Sequence, residues 1–381
     1  MRLWFKVFAL LPLDWETVSL AFSLYLDIIR FTAALAVLLS HFTSEPFTAH
    51  VIPGALGNYG NIAVTIFFVL SGYVISFVTS TREQTASQYS LARIARLYSV
   101  IPLALLLTFG LDSIGSAIDP YFYAIPQILM KPESFAGYAS SLLFVSEFQI
   151  FGFDGIVPGT NNPLWSLSFE ATYYLLAGLL LFAPRRISFP SSILILAMAG
   201  RTITALLPVW IIGFYTYRFV PRSTLPRLVL IMGMAATMLG ILEGHRILRH
   251  ITDDNFGIVF PWGRGPFNRD LLLDYGVTCL FSAHLIFARQ FCERIAVPHA
   301  RMKAFARWLG DMTFPLYATH YPIICLFAAI SPWPNTTYAN AAFIFVSLVL
   351  IVAVFAAISE RLKDTLRSRP WAPHAQRASV R

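Results

Sequence analysis

The chain has 381 residues, of which 57% are hydrophobic and 13% charged, and its mean hydropathy is +0.64. Soluble domains carry about 25% charged residues, so composition excludes a water-soluble globular protein and predicts an all-α polytopic membrane protein. The net charge of +8 does not point to nucleic acid, because the basic residues cluster in short segments between apolar runs, as cytoplasmic loops do.

The first segment, residues 1–19, is basic and briefly apolar, and Pro12 and Asp14 interrupt it. No small-x-small cleavage site follows, so it is expected to be an interfacial segment rather than a removed signal peptide. Apolar runs of spanning length then fall at 20–42, 60–79, 97–112, 164–183, 226–243, 269–290, 313–331 and 339–358. The stretch 189–220, with Arg201 inside it, reads as two short spans or as one span plus a re-entrant piece. Arginine-rich connections carrying Arg82, Arg93, Arg185, Arg218 and Arg301, together with the basic tail 361–381, are expected in the cytoplasm. With both termini inside, the count of spans is even, and about ten satisfies these loops. Residues 138–151 are too short and polar to span and are expected to be an outside or re-entrant helix. Residues 244–268 carry Arg246, Arg249 and Arg264, yet parity puts them outside. Cys279, Cys292 and Cys325 suit neither a zinc site nor a disulfide framework by their spacing, and are expected to be small buried side chains with no metal.

The first span reads LDIIRFTAALAVLLSH. Eleven helical steps of ~100° return to within ~20° of the starting direction, so Arg30 and His41 share a face, roughly 16 Å apart along the axis. Asp27 lies one turn before Arg30 and can pair with it. Arginine and histidine are costly in hydrocarbon unless they line a cavity, which makes a buried site one reading. The other is a histidine at the interface and an Arg30–Asp27 pair. Histidine moves protons near neutral pH, and arginine favours carboxylates, phosphates and developing oxyanions.

Further along, FFVLSG places Ser71 and Gly72 in the second span. Gly72 lets another backbone approach and Ser71 can bond across helices, either at a pore or at a packing seam. In LARIARLY, Arg93 and Arg96 sit at i, i+3 as a phosphate clamp or as cytoplasmic anchors. NPLWSLSFE sets Glu170 inside the fourth apolar run, where it can orient His41, balance Arg30, accept a proton or simply pair with a membrane arginine. TFPLYATH carries Tyr317 and His320 on one face, lining a cavity, binding a donor, or packed.

Together these segments resemble the membrane-bound acyltransferase-3 family over residues from about 25 to 360. The matching motifs are Arg-x10-His, FFxxSG, Arg-x-x-Arg, PLWSLsvE and SYxxYLxH, the last with Thr-Phe in place of Ser-Tyr. The resemblance implies a membrane domain over 20–360 of roughly ten helices. It also implies transfer of an acyl group, often acetyl, from cytoplasmic acyl-CoA to a hydroxyl of a sugar, surface polysaccharide or glycolipid, in the inner membrane of a bacterium. Carried onto this sequence, His41 is the essential histidine, with Arg30 and Glu170 beside it in catalysis. Arg93 and Arg96 contact the CoA phosphates, and Ser71, Tyr317 and His320 line the donor path. Direct transfer and an acyl-histidine intermediate both remain open. The rival class is a proton-coupled transporter or flippase of a sugar or glycolipid, which also lodges Arg, His and Glu in the membrane. No internal repeat supports that class.

Overall fold

A computed structural model of the chain describes residues 19–48, 51–53, 59–125, 128, 135–152, 155–219, 224–254, 271–295 and 299–368. All of the interfacial segment 1–19 but Ser19, residues 255–268 of the loop 244–268, and the tail beyond 368 lie outside the described residues. Among those described there are only helices and connections, with no strand; apolar runs of about 20 residues span hydrocarbon as helices, each of which satisfies its own backbone.

Helix α1 (Leu20–Phe42) begins where Ser19 Oγ accepts the amide of Phe22, a side-chain N-cap. Helix α2 (Gly60–Thr81) carries FFVLSG. Helix α3 (Ala86–Tyr98) opens on a capping box in which Thr85 and Gln88 satisfy each other's backbone amides. Its continuation is α4 (Ile101–Ile118), with a proline in its first turn. The segment 138–151 forms no span: α5 (Phe135–Leu142) is followed by a single 3-10 turn over Gln149–Phe151. Another 3-10 turn (Asn162–Trp165) leads into α6 (Ser166–Phe182). The stretch 189–220 divides into α7 (Arg185–Ala199) and α8 (Arg201–Arg218) at Gly200, whose φ of +90° suits glycine. The chain ends in α9 (Arg227–Asp254), α10 (Leu271–Cys292), α11 (Ala300–Ala329) and α12 (Tyr338–Ser368).

Eight helical stretches among the described residues are long and apolar enough to cross a membrane, one of them the joined α3–α4 (Ala86–Ile118). Neither α7 nor α8 is among them, so length and apolarity alone stop short of the expected ten. The lipid-facing character of the outer helices is plain on α12, where Leu350 and Val354 are exposed, and on α9, where Leu228 and Met232 are exposed. Several boundaries differ from the sequence reading. The run expected to start at 313 belongs to a helix that begins at Ala300, α12 continues through the 360/361 boundary to Ser368, and α9 continues past 244 to Asp254. These added turns are polar, so hydropathy ends the segment while the backbone stays helical. Cys292 and Cys325 are buried as expected, but Cys279 is exposed on α10.

Two packings set the architecture. Helices α2 and α8 approach backbone to backbone. A Cβ on Gly72 would lie 2.1 Å from the Trp210 carbonyl oxygen, and one on Gly213 would lie 2.2 Å from that of Val69. Helices α1 and α11 run parallel. Asp27 pairs with Arg307 at one level, and thirteen to fourteen residues on, the His41 ring lies 5.4 Å from His320 and 4.9 Å from Tyr321. Helix α12 runs back along α11, bringing Lys363 within 3.9 Å of Asp311. The first turn of α1 and the last turns of α12 therefore lie at the same end of the bundle.

Candidate active site

A cavity of about 190 Å³ opens among α1, α2, α3, α6, α11 and α12. Of the residues singled out from sequence, Arg30, Ser71, Arg96, Glu170 and Tyr317 line it, and Asp27 does as well. His41, Arg93 and His320 do not line it.

The charged wall is made of loosely matched pairs. Arg30 Nη1 lies 3.9 Å from Asp27 Oδ1, while Asp27 Oδ2 accepts a 2.9 Å hydrogen bond from Arg307. Asp27 thus belongs more to Arg307 on α11 than to its helix neighbour Arg30. The close approach is possible because residue 310 is glycine: a Cβ there would sit 2.9 Å from the Asp27 carboxyl carbon. Arg96 Nη2 lies 3.7 Å from Glu170 Oε1, its guanidinium is 5.8 Å from the centre of the Phe314 ring, and its Nε is buried without a hydrogen-bond partner. At 3.7–3.9 Å these contacts are ion pairs without a direct hydrogen bond. They leave guanidinium donors facing a partly dry space, where they act strongly on anions.

A chain of donors ends on Glu170. Trp210 Nε1 donates to Ser71 Oγ at 3.1 Å, and Ser71 Oγ in turn donates to the Tyr174 hydroxyl at 3.5 Å. That hydroxyl donates to Glu170. The Ser71 proton is committed to this chain, so its geometry is that of a network member rather than of an activated nucleophile, which would need a base to take that proton. Tyr174 is a residue the sequence reading missed, although its i, i+4 position after Glu170 was a legible signal.

Arg93 and Arg96 part company although they are one turn apart. Arg93 Nη2 donates to both carboxylate oxygens of Glu83, at 2.7 and 3.0 Å. Its guanidinium lies 5.4 Å and 5.3 Å from the Tyr89 and Tyr174 rings. Arg93 is thus held within the protein, whereas Arg96 faces the cavity.

At the far end of the cavity stands Tyr317. Its hydroxyl donates to the Pro163 carbonyl at 2.8 Å and therefore accepts from Ser166 Oγ at 2.6 Å. The Phe67 ring packs edge-on against it at 5.8 Å. The segment that supplies Pro163 and Ser166 is itself pinned. Asn161 Nδ2 donates to Thr108 Oγ1 and to the Ala318 carbonyl, both at 2.9 Å, and Asp112 accepts from the amide and hydroxyl of Thr160. This anchors the start of α6 against α4 and α11, and so fixes where Glu170 points.

Beyond Tyr317 lies the histidine pair. The His320 ring is 6.2 Å from that of Tyr317 and 5.4 Å from that of His41. His320 Nδ1 faces the carbonyls of Tyr317 at 2.9 Å and Leu316 at 3.1 Å. Carbonyls only accept, so Nδ1 carries the proton, and Nε2 is left as an unprotonated nitrogen, buried and without a partner. The site therefore has two parts along α1 and α11, a charged cavity wall that presents guanidinium donors and a histidine pair, with Tyr317 between them. Arg307 and Lys363, which take part at the first, were read from sequence only as cytoplasmic charge.

No solved structure matches the chain. The chain is 30% identical over 151 residues to a protein named acyltransferase MdmB from Streptomyces mycarofaciens, covering 39% of this chain and 36% of that one. It is 28% identical over 172 residues to nodulation protein 10 from Rhizobium leguminosarum bv. viciae, covering 42% and 44%. The chain thus matches less than half the length of these relatives. The acyltransferase-3 family model, described as an acyltransferase domain, matches residues 23–360. That range runs from before Arg30 to beyond the histidine pair, taking in both parts of the site except Lys363, and this multi-pass membrane protein belongs to the acyltransferase-3 family.

Proposed function

We propose that the protein is an O-acyltransferase of the bacterial inner membrane, moving an acyl group, acetyl in the first instance, from cytoplasmic acyl-CoA to a hydroxyl of an extracytoplasmic or lipid-linked carbohydrate. In this reading α7 and α8 complete a set of ten spans, and both termini face the cytoplasm, where the arginine-rich connections lie. The observation that carries the reading is the two-part site: guanidiniums facing one end of a cavity, and an imidazole pair one aromatic layer beyond its other end.

The donor enters from the charged end with its phosphates near Arg96, and the thioester advances past Tyr317. An imidazole of the His41–His320 pair takes the proton of the acceptor hydroxyl. The oxygen attacks the thioester carbonyl carbon, a tetrahedral oxyanion forms, and the carbon–sulfur bond breaks. The departing thiolate receives the proton back from the imidazolium. His320 Nε2 is pre-set as an acceptor because Nδ1 is committed to carbonyls, and His41 lies beside it. The alternative route, in which an imidazole nitrogen carries the acyl group between the two halves, uses the same residues. Arg30 sits at the donor end, with Asp27 and Arg307. It serves the donor rather than the oxyanion, since it stands some 16 Å along the helix from His41.

The test is incorporation of label from radioactive acetyl-CoA into envelope carbohydrate by membranes holding equal amounts of wild type or His41→Ala. The expected result is transfer by the wild type and a fall of about 10²–10⁴-fold in the variant, the usual worth of a positioned acid–base group. Undiminished transfer by His41→Ala overturns the catalytic assignment. Movement of intact sugar without acyl transfer favours a transporter.

A further inference from the structure

Four cations from four different helices gather at the charged end of the cavity: Arg30 on α1, Arg96 on α3 and Lys363 on α12 line it, and Arg307 on α11 stands behind its wall, bonded to the lining residue Asp27. Two of them, Arg307 and Lys363, lie in the polar turns that extend α11 and α12 beyond their apolar runs. Each is held in place by carboxylates. Arg307 donates to Asp27, while Lys363 pairs with Glu360 and lies 3.9 Å from Asp311. Arg307 keeps 46% of its side chain exposed and Lys363 keeps 20%, against 12% for Arg93. Arg93, in turn, has both carboxylate oxygens of Glu83 on its guanidinium and two tyrosine rings around it.

Resting on the reading above, we infer that the phosphates of the CoA donor are held by Lys363 and Arg307 together with Arg96, and that Arg93 is a structural residue that braces α3 against α6. Arg96 supplies a planar fork and Lys363 a mobile point charge, a combination suited to several phosphate oxygens at different heights. The carboxylates keep these cations at the cavity rim while it is empty of donor, and phosphate oxygens then exchange for them.

The axial distance fits. Asp311, beside Lys363, and His320 are on the same helix, and nine residues at 1.5 Å each place them roughly 14 Å apart along it. An extended pantetheine arm covers that distance, so phosphates at the Lys363 level bring the thioester to the level of Tyr317 and the histidine pair. Arg93 offers phosphates no such path, since both carboxylate oxygens of Glu83 occupy its guanidinium and little of it is exposed, whereas Arg307 is half exposed beside the lining residue Asp27.

The experiment uses the full-length protein in detergent or nanodiscs and measures equilibrium binding of CoA and of pantetheine, which lacks every phosphate. Thermal stability without ligand is recorded for each variant. In K363Q and R307Q, CoA binding is expected to weaken about tenfold each while pantetheine binding stays within twofold of wild type. K363R should restore most of the loss. Equal weakening of CoA and pantetheine in K363Q and R307Q, or unchanged CoA binding in both, overturns the inference and leaves the acyltransferase reading intact. A wild-type protein that binds no CoA overturns both.

Discussion

At the residue scale, the clearest lesson is the divergence of Arg93 and Arg96. Helical spacing puts them on one side of α3, yet one is enclosed by Glu83, Tyr89 and Tyr174 while the other meets Glu170 and the cavity. A pair with both partners mostly covered is costly to break from one side, because the survivor keeps its charge without a counterion. Glu83→Gln and Arg93→Gln are each expected to destabilise the detergent-solubilised protein by about 3 kcal/mol. The double variant should lose markedly less than the sum, as read by the temperature of unfolding in a double-mutant cycle. Additive losses would mean that the two side chains do not depend on each other. His320 shows a second kind of residue-level information. Its backbone carbonyl partners fix which nitrogen is basic, something visible only once the neighbouring turn of α11 is in view.

Among elements, contact between α2 and α8 rests on two glycines that face each other's backbone, Gly72 and Gly213. Here the sequence reading of Gly72 as a place of close approach agrees with the geometry. An alanine at 72 would put a methyl 2.1 Å from a carbonyl oxygen that cannot rotate away, so the helices must separate. Gly72→Ala is expected to cost about 1–3 kcal/mol as overpacking does. It should also disturb Ser71 and Trp210, whose bond crosses the same seam. A thermal melt of the purified variant measures this, and an unchanged melt would mean that the seam gives way freely. Helices α11 and α12 carry the opposite lesson. Their apolar runs were legible, but the polar turns at Ala300–Met312 and beyond Glu360 are where they supply Arg307 to Asp27 and Lys363 to the cavity. Hydropathy is blind to such turns, because a helix leaving the hydrocarbon keeps its hydrogen-bond ladder without keeping its apolarity.

For the molecule as a whole, the direction of three helices constrains topology. The pairing of Asp27 with Arg307 and of His41 with His320 makes α1 and α11 parallel, and Lys363 beside Asp311 makes α12 run back. Cysteines introduced at Ser19 and Thr365 are therefore expected to react with a membrane-impermeant maleimide from the same side. One introduced at Thr336, in the connection between α11 and α12, should react from the other. Labelling of all three from one side would contradict this arrangement. The same geometry leaves the basic turns of α11 and α12 at the end where the loop-charge bias also concentrates arginine, the end assigned to the cytoplasm in the proposed function.

Sequence by itself determined the membrane class, the places where polar side chains interrupt lipid-facing runs, and the axial distance between Arg30 and His41. Those are local properties, set by composition, by transfer free energy into hydrocarbon and by the fixed pitch of a helix. Tertiary structure alone decided which helix stands opposite each polar residue. It gave Asp27 to Arg307 more than to Arg30, matched Glu170 with Arg96, enclosed Arg93 with Glu83, and set His320 against His41 beyond Tyr317. The physical reason is that periodicity fixes a face and a height, whereas the occupant of the facing groove is chosen by packing among segments that lie up to 280 residues apart, to which glycines at 72, 213 and 310 contribute by admitting close approach.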